Sequence, residues 1–460
     1  MFFASLVLIF EGILCNFILM PNSDVEQSTC AVVLLVINIV VVCLGISFSI
    51  KNNNVEEERS IKLALFSSFF LRILILLWDV YCRHIFILPN SEGDAEWYHK
   101  IGVSYAFGTR AQEVDYTKYS YYIGQLYKFI GVQKMTAQFI NVFLAMCSLI
   151  LVYKILCKFD IDTKVKKITI TIAAFLPNLM MITTFFLQES IIAFFVISSL
   201  YLFTRWWFGK SAFNIVLAIL FSVAGAMLHM GGFAIGIGIL MMLFLVNNKE
   251  RKVSATPARL VMVIIMAFVA LFAISTFGGD LLGKLGGEVS AEAILDKSGD
   301  REIGGGAYVI GIQGLPPAVD IVVNTPIRMF YFIFSPLPWM WRGPGDILAF
   351  FGSTIFYIYV VYLTIKAFKT KPNKTLVNDN LGSYLITLTV IVLIAAVMFG
   401  WGVSNSGSVI RHREKFTYIC VVMFAISQEI LFRTEKVNAE QESIDNSSDI
   451  QGRRLPKKMR

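Results

Sequence analysis

The stretch "IKLALFSSFFLRILILLWDVYCRHIF", Ile61 to Phe86, carries only Arg72 and Asp79 as charges between Lys62 and Arg83. At 1.5 Å of rise per helical residue, an apolar run of this length crosses a hydrocarbon layer of about 30 Å. It reads as a transmembrane helix. Arg72 and Asp79 are seven residues apart, so they share one helix face about two turns from each other. Ionisable groups at that depth face a protein interior or a wet cavity. Arg72 is expected in a structural ion pair, with Glu11 of the first apolar block as its partner, while Asp79 borders a site nearer the helix end.

The same pattern recurs outward from this stretch. Candidate spans fall at 2–20, 31–50, 62–88, 136–156, 168–187, 189–204, 212–228, 231–247, 259–278, 347–367, 383–401 and 414–432. The composition agrees: hydrophobic residues make up 56% of the chain, above the roughly 45–50% of soluble proteins. The expected fold class is an all-α polytopic integral membrane protein of about twelve helices. Residues 1–432 form the membrane domain, and the polar residues 433–460 form a disordered cytoplasmic tail. The first block lacks a basic leader and a small-residue cleavage site, so it reads as a retained span. Seven cysteines without CxxC or Cys–His spacing indicate neither a disulfide framework nor a zinc site. No cofactor or metal motif is present.

Basic loops set the orientation. Clusters at Lys51/Arg59/Lys62, Lys154/Lys158/Lys164/Lys166/Lys167, Arg205/Lys210, Lys249/Arg251/Lys252/Arg259 and Lys366/Lys369/Lys371/Lys374 all fall on one side. That side is read as cytoplasmic, with both termini. The net charge of +8 is thus assigned to topology rather than nucleic acid. The opposite side receives two large loops, about 89–135 and 279–346, tight turns at Gln188-Glu189 and His229, and the short stretch 402–413.

The unusual polar chemistry lies on that external side. The first loop carries Glu92, Asp94, Glu96 and Asp115 among many tyrosines. A carboxylate beside aromatic faces suits sugar transfer, taking a hydroxyl proton while flat rings hold a pyranose. Asp94 is favoured because Gly93 permits close approach. A solvated acidic loop with an interfacial aromatic belt is the competing reading. In the second loop, Gly304 to Gly306 is either an anion-facing backbone or a hinge, and 326–340 is expected to lie in the interface or re-enter. Arg328 and Arg342 there contravene the orientation rule and have the planar fork that suits phosphate.

"SNSGSVIRHREK", Ser404 to Lys415, precedes the last span. Its N–H groups are expected to form a helix N-terminus that attracts phosphate, with Arg411 and Arg413 as joint donors. Basic side chains snorkelling to lipid headgroups are the alternative. His84, His99, His229 and His412 all fall outside, without metal-ligand spacing. His229, in "LHMGG", is the one expected to line a cavity.

The order of "GDAEWY", "FLQESIIAFFVISSLYLF", "LHMGG", "SPLPWMWR" and "SNSGSVIRHREK" resembles bacterial polyprenyl-linked glycan assembly proteins. Two groups share the resemblance: GT-C-type glycosyltransferases and Wzy/EpsG-like repeat-unit polymerases of capsule and exopolysaccharide systems. It implies a polyprenyl-phosphate- or pyrophosphate-linked sugar as substrate, membrane lipids and other polysaccharide-assembly proteins as partners, and chemistry outside the plasma membrane. It also implies Asp94 as catalytic base with Tyr98 and His229 beside it, and the reading of the residues adds His412, Glu189, Arg328, Arg342, Arg411 and Arg413 as substrate-binding residues. Gln188-Glu189-Ser190 stands where the polymerases often carry arginine, which leaves the phosphate to Arg411 and Arg413. A transporter or flippase of lipid-linked sugars is the competing class. The chain lacks the internal repeat on which many transporter folds are built.

Overall fold

Apolar runs separated by polar turns fold as a helical bundle in the computed structural model, which describes residues 13, 27–108, 118–247, 252–253, 311–312, 314–370, 379–401 and 406–452. Among these, the only strand pairing is a two-residue antiparallel ladder, Val246–Asn247 with Lys252–Val253. Among the described residues, seven helices are long and apolar enough to cross a membrane: Ala31–Ser49, Val55–Tyr81, Lys134–Lys158, Glu189–Gly209, Pro344–Lys369, Asn380–Gly400 and Thr417–Glu440. They support transmembrane character and match seven of the expected spans. Two more expected spans are the shorter apolar helices Ala212–Leu228 and Phe233–Leu245. The spans 2–20 and 259–278, apart from Ile13, lie outside the described residues, as do Glu11, Asp115 and Gly304 to Gly306.

The expected span 168–187 is not one helix. Thr163–Phe175 ends at Leu176, and Pro177 opens a second, short helix, Pro177–Ile182. Proline lacks the N–H that would continue the ladder and pushes its predecessor out of the helical region. The non-helical segment that follows is buried, so its carbonyls need donors from side chains. Asn141 supplies two, its Nδ2 donating to Phe185 O at 2.6 Å and Leu187 O at 2.8 Å. Arg72 supplies others, donating to Met180 O at 2.9 Å and to the hydroxyls of Thr183 and Thr184 at 2.6 and 3.3 Å. Glu11, the ion-pair partner expected for Arg72, lies outside the described residues; the described hydrogen-bond partners of Arg72 are oxygens of the broken segment. Asp79 lies 3.7 Å from Arg83 instead.

Two further stretches take defined local structure. The Thr417 helix continues to Gly452, so much of the stretch read as a disordered tail is helical. A helix already anchored in the bundle extends without a second nucleation cost. Residues 326–340 are helical to Phe334, as the end of Pro317–Phe334, before a cis Ser335–Pro336 bond and the turn Pro338–Met340. The Pro317–Phe334 helix packs against Asp379–Gly400.

Polar residues gather at opposite ends of the long helices. At one end the buried Glu57 receives Lys166 at 2.7 Å, Tyr153 at 3.0 Å and Thr163 at 2.6 Å. Nearby on the same loop, Asp162 N–H donates to Glu429 at 2.8 Å. At the other end Glu96 receives Arg83 at 2.9 Å and Lys134 at 3.0 Å. Val55–Tyr81 and Lys134–Lys158 run in opposite directions between the two groups. Twenty-seven residues in the first of these helices give a separation of about 40 Å. Among the described residues, the Glu57–Lys166 group thus lies at one end of these helices, and the Glu96 group of the acidic and aromatic loop lies at the other.

Candidate functional site

The site at the second end is assembled from three stretches far apart in sequence. Gly93 has φ +64°, a left-handed value that costs a side chain dearly, and the chain turns there into the Asp94–Phe107 helix. Asp94 is the first residue of that helix, where a carboxylate is favoured by the dipole. Its side chain is about half exposed (55%). Glu189 opens the Glu189–Gly209 helix just after the broken segment and is fully buried. Arg411 bridges the two: Nη1 donates to Asp94 Oδ2, and Nη2 donates to Glu189 Oε1 at 3.0 Å.

The electrostatics of the cluster are coupled. Burial works against the Arg411 charge, but Glu189 and Asp94 outweigh it and hold its pKa above the usual arginine value. Tyr98, buried one helical turn from Asp94, has its phenol pushed up by burial and then by the Glu189 charge. Its ring meets Tyr119 edge-on at 5.1 Å. Lys415 adds a second cation. Its Nζ lies 3.7 Å from the same Glu189 oxygen and 2.6 Å from His412 Nδ1, although the residue is fully buried. His412 packs 4.6 Å from His229, and both rings lie 5.2 Å from Phe399.

Of the residues expected in the site, Asp94, Tyr98, Glu189 and Arg411 are brought together, with His412 and His229 alongside through Lys415. Arg413 faces elsewhere. The stretch expected to be the first turn of the last span is a separate helix, Ser406–Glu414, and its basic residues occupy the final turn. The expectation of a helix N-terminus with two joint arginines is therefore corrected: residues two apart on a helix point about 200° from each other. Arg413 donates to Ile333 O and Ser335 O at 2.7 Å, and to the hydroxyls of Ser353 and Thr354 at 2.7 and 3.2 Å. Its guanidinium also lies 4.2 Å from the Tyr357 ring. Arg328 is buried with its guanidinium 4.4 Å from the Trp401 ring. Arg342 is exposed where the chain enters Pro344–Ala349, its N–H donating to Asp346 at 2.9 Å.

Lys415 was not among the expected site residues. Its signal is the i, i+4 spacing from Arg411, visible once the stretch is read as helix rather than loop. Among the described residues, no group of three His, Cys, Asp or Glu side chains is placed to hold a metal ion. Comparison of the chain with protein-family models, curated proteins and solved structures finds no match.

Proposed function

We propose that the chain is a membrane glycosyltransferase or repeat-unit polymerase. It acts on a sugar or oligosaccharide carried by polyprenyl phosphate or pyrophosphate at the external face of the plasma membrane. The observation carrying this reading is Arg411 bound to both Asp94 and Glu189: one guanidinium reaches a buried anchoring carboxylate and a half-exposed one. Glu189 fixes the arginine, and Asp94 is the partner that can yield when an anionic headgroup arrives.

In this reading Asp94, released from Arg411, takes the proton of the acceptor hydroxyl. The acceptor oxygen bonds to the anomeric carbon, and the bond from that carbon to the phosphate oxygen breaks. The phosphate leaves with the electron pair and is held by Arg411. Because the leaving group is already good, orientation and anion binding supply most of the rate gain. Twelve crossings with both termini cytoplasmic would put this end of the bundle outside, away from the basic loops.

The test is transfer from a polyprenyl-linked donor by reconstituted protein carrying Asp94→Asn or Arg411→Ala. Both are expected to lose transfer at unchanged protein amount, with the lipid-linked precursor accumulating in cells. A transporter instead predicts that precursor movement across the bilayer fails while transfer in open membranes continues. That outcome would overturn the enzymatic reading.

A further inference from the structure

His229 and His412 form a pair whose proton positions are dictated by their neighbours. Gly231 N–H donates to His229 Nδ1 at 3.3 Å. A backbone N–H has no lone pair to offer, so Nδ1 is the acceptor and the ring proton sits on Nε2. Gly231 is constrained to this role, because a Cβ there would run into the Phe399 ring. On the other ring, Lys415 Nζ lies 2.6 Å from His412 Nδ1. Glu189 at 3.7 Å and the Phe399 ring face at 5.5 Å both favour the ammonium form of this lysine. An ammonium also offers only donors, so His412 Nδ1 accepts and its proton likewise sits on Nε2.

We infer that His229 and His412 are a matched pair of neutral imidazoles protonated on Nε2, that Lys415 is the positioning residue that fixes His412 in this form, and that the pair donates to an oxygen of the phosphate group bound at Arg411. Only the last part rests on the function proposed above. Both histidines are partly exposed, so a ligand reaches them without unfolding the bundle. With both Nδ1 atoms engaged by obligate donors, the pair supplies N–H groups to an oxyanion. It does not act as a Nδ1 base or a Nδ1 metal ligand. Arg411, His412 and Lys415 lie at i, i+1 and i+4 and share one side of the junction between Ser406–Glu414 and the Thr417 helix.

The experiment is nitrogen NMR of the full chain, labelled with 15N-histidine, in lipid nanodiscs. His229→Gln and His412→Gln assign the two rings among the four histidines. Both are expected to show an unprotonated Nδ1 and a protonated Nε2. Lys415→Met should convert His412 to a mixture of tautomers and leave His229 unchanged, while Lys415→Arg, which retains a donor, should restore the single form. A protonated Nδ1 on either ring, or no response of His412 to Lys415→Met, would overturn the assignment. If Lys415→Met fails to fold, the wild-type Nδ1 signals decide the matter alone.

Farnesyl phosphate is the ligand probe. It is expected to shift both Nε2 signals in wild type and neither in Arg411→Ala. Binding that depends on Arg411 but leaves both Nε2 signals unmoved overturns the donor role and spares the phosphate reading. Correct tautomers with no farnesyl phosphate binding overturn the phosphate reading and leave the tautomer assignment standing.

Discussion

Arg411 and Arg413 stand two residues apart on one short helix and serve opposite sides of it. Arg411 reaches across the bundle end to Asp94 and Glu189, whereas Arg413, only 2% exposed, is bound to carbonyls and hydroxyls of the 333–354 segment. The first should govern chemistry and the second stability. Arg413→Ala strips Ile333 O and Ser335 O of a donor, and each buried carbonyl left unmade costs about 1–3 kcal/mol. Thermal unfolding in detergent is expected to fall by several degrees, while Arg411→Lys unfolds near the wild-type temperature but transfers little. Lysine keeps the charge but lacks the fork that reaches two carboxylates. The combined variant should show additive stability losses to within about 0.5 kcal/mol. Unchanged stability in Arg413→Ala would show that its contacts do not hold the segment.

Gly407 and Lys369 test which end of the bundle is outside. Both are exposed, one beside the Arg411 site and the other in the last turn of the Ile355–Lys369 helix among the basic residues. In a chain without native cysteines, Gly407→Cys is expected to react with a membrane-impermeant maleimide in intact cells. Lys369→Cys should react only after the membrane is opened. The reverse pattern would put the candidate site in the cytoplasm and remove the case for an external donor.

The helices were legible wherever apolar length alone decides, as in Val55–Tyr81 and Lys134–Lys158. Where one proline reorganises a buried run, length misleads: 168–187 passes as a span until Pro177 is given its full weight. Asp94 was legible through Gly93, whose positive φ is the kind of local demand that sequence exposes. Glu189, Tyr98 and Arg411 were legible as residue types out of place in their surroundings, but not as partners, because their meeting depends on how distant helices pack. The pairing of Arg411 with Arg413 failed for a simpler reason. A stretch treated as loop carries no angular information, and the 200° between the two side chains follows only from helix.

Gly93→Ala probes how far the backbone turn sets the position of Asp94. A Cβ at Gly93 meets no heavy atom within 4 Å, so the expected penalty is conformational, not steric contact with neighbours. Holding alanine at positive φ costs about 1–2 kcal/mol. That strain relaxes most readily by moving the half-exposed Asp94 away from Arg411. Transfer is therefore expected to fall at least tenfold while the unfolding temperature drops only slightly. Wild-type transfer by Gly93→Ala would mean that Asp94 does not need the position it occupies.

Glu96, two residues beyond Asp94, faces the opposite side of its helix and gives the bundle end an acid-sensitive clasp. Burial alone would push its pKa up, but the hydrogen bond and charge of Lys134, with the Arg83 charge, outweigh burial and hold it below the usual glutamate value. A carboxylate with a lowered folded-state pKa contributes stability above its unfolded pKa and loses it as pH falls through the folded value. Wild type should therefore be more stable than Glu96→Gln at pH about 7, with the gap shrinking as pH drops below about 4.3, the ordinary glutamate pKa. Lys134→Met should flatten the same limb, because it removes the largest favourable partner. The measurement is unfolding temperature in detergent from pH about 7 down to about 3, below the ordinary glutamate pKa, for the three proteins. Because the carboxylate is about one third exposed (32%), the effect should also weaken in high salt. A constant gap between wild type and Glu96→Gln across the whole range would show that the Glu96 contribution is packing, with its charge carrying no part of it.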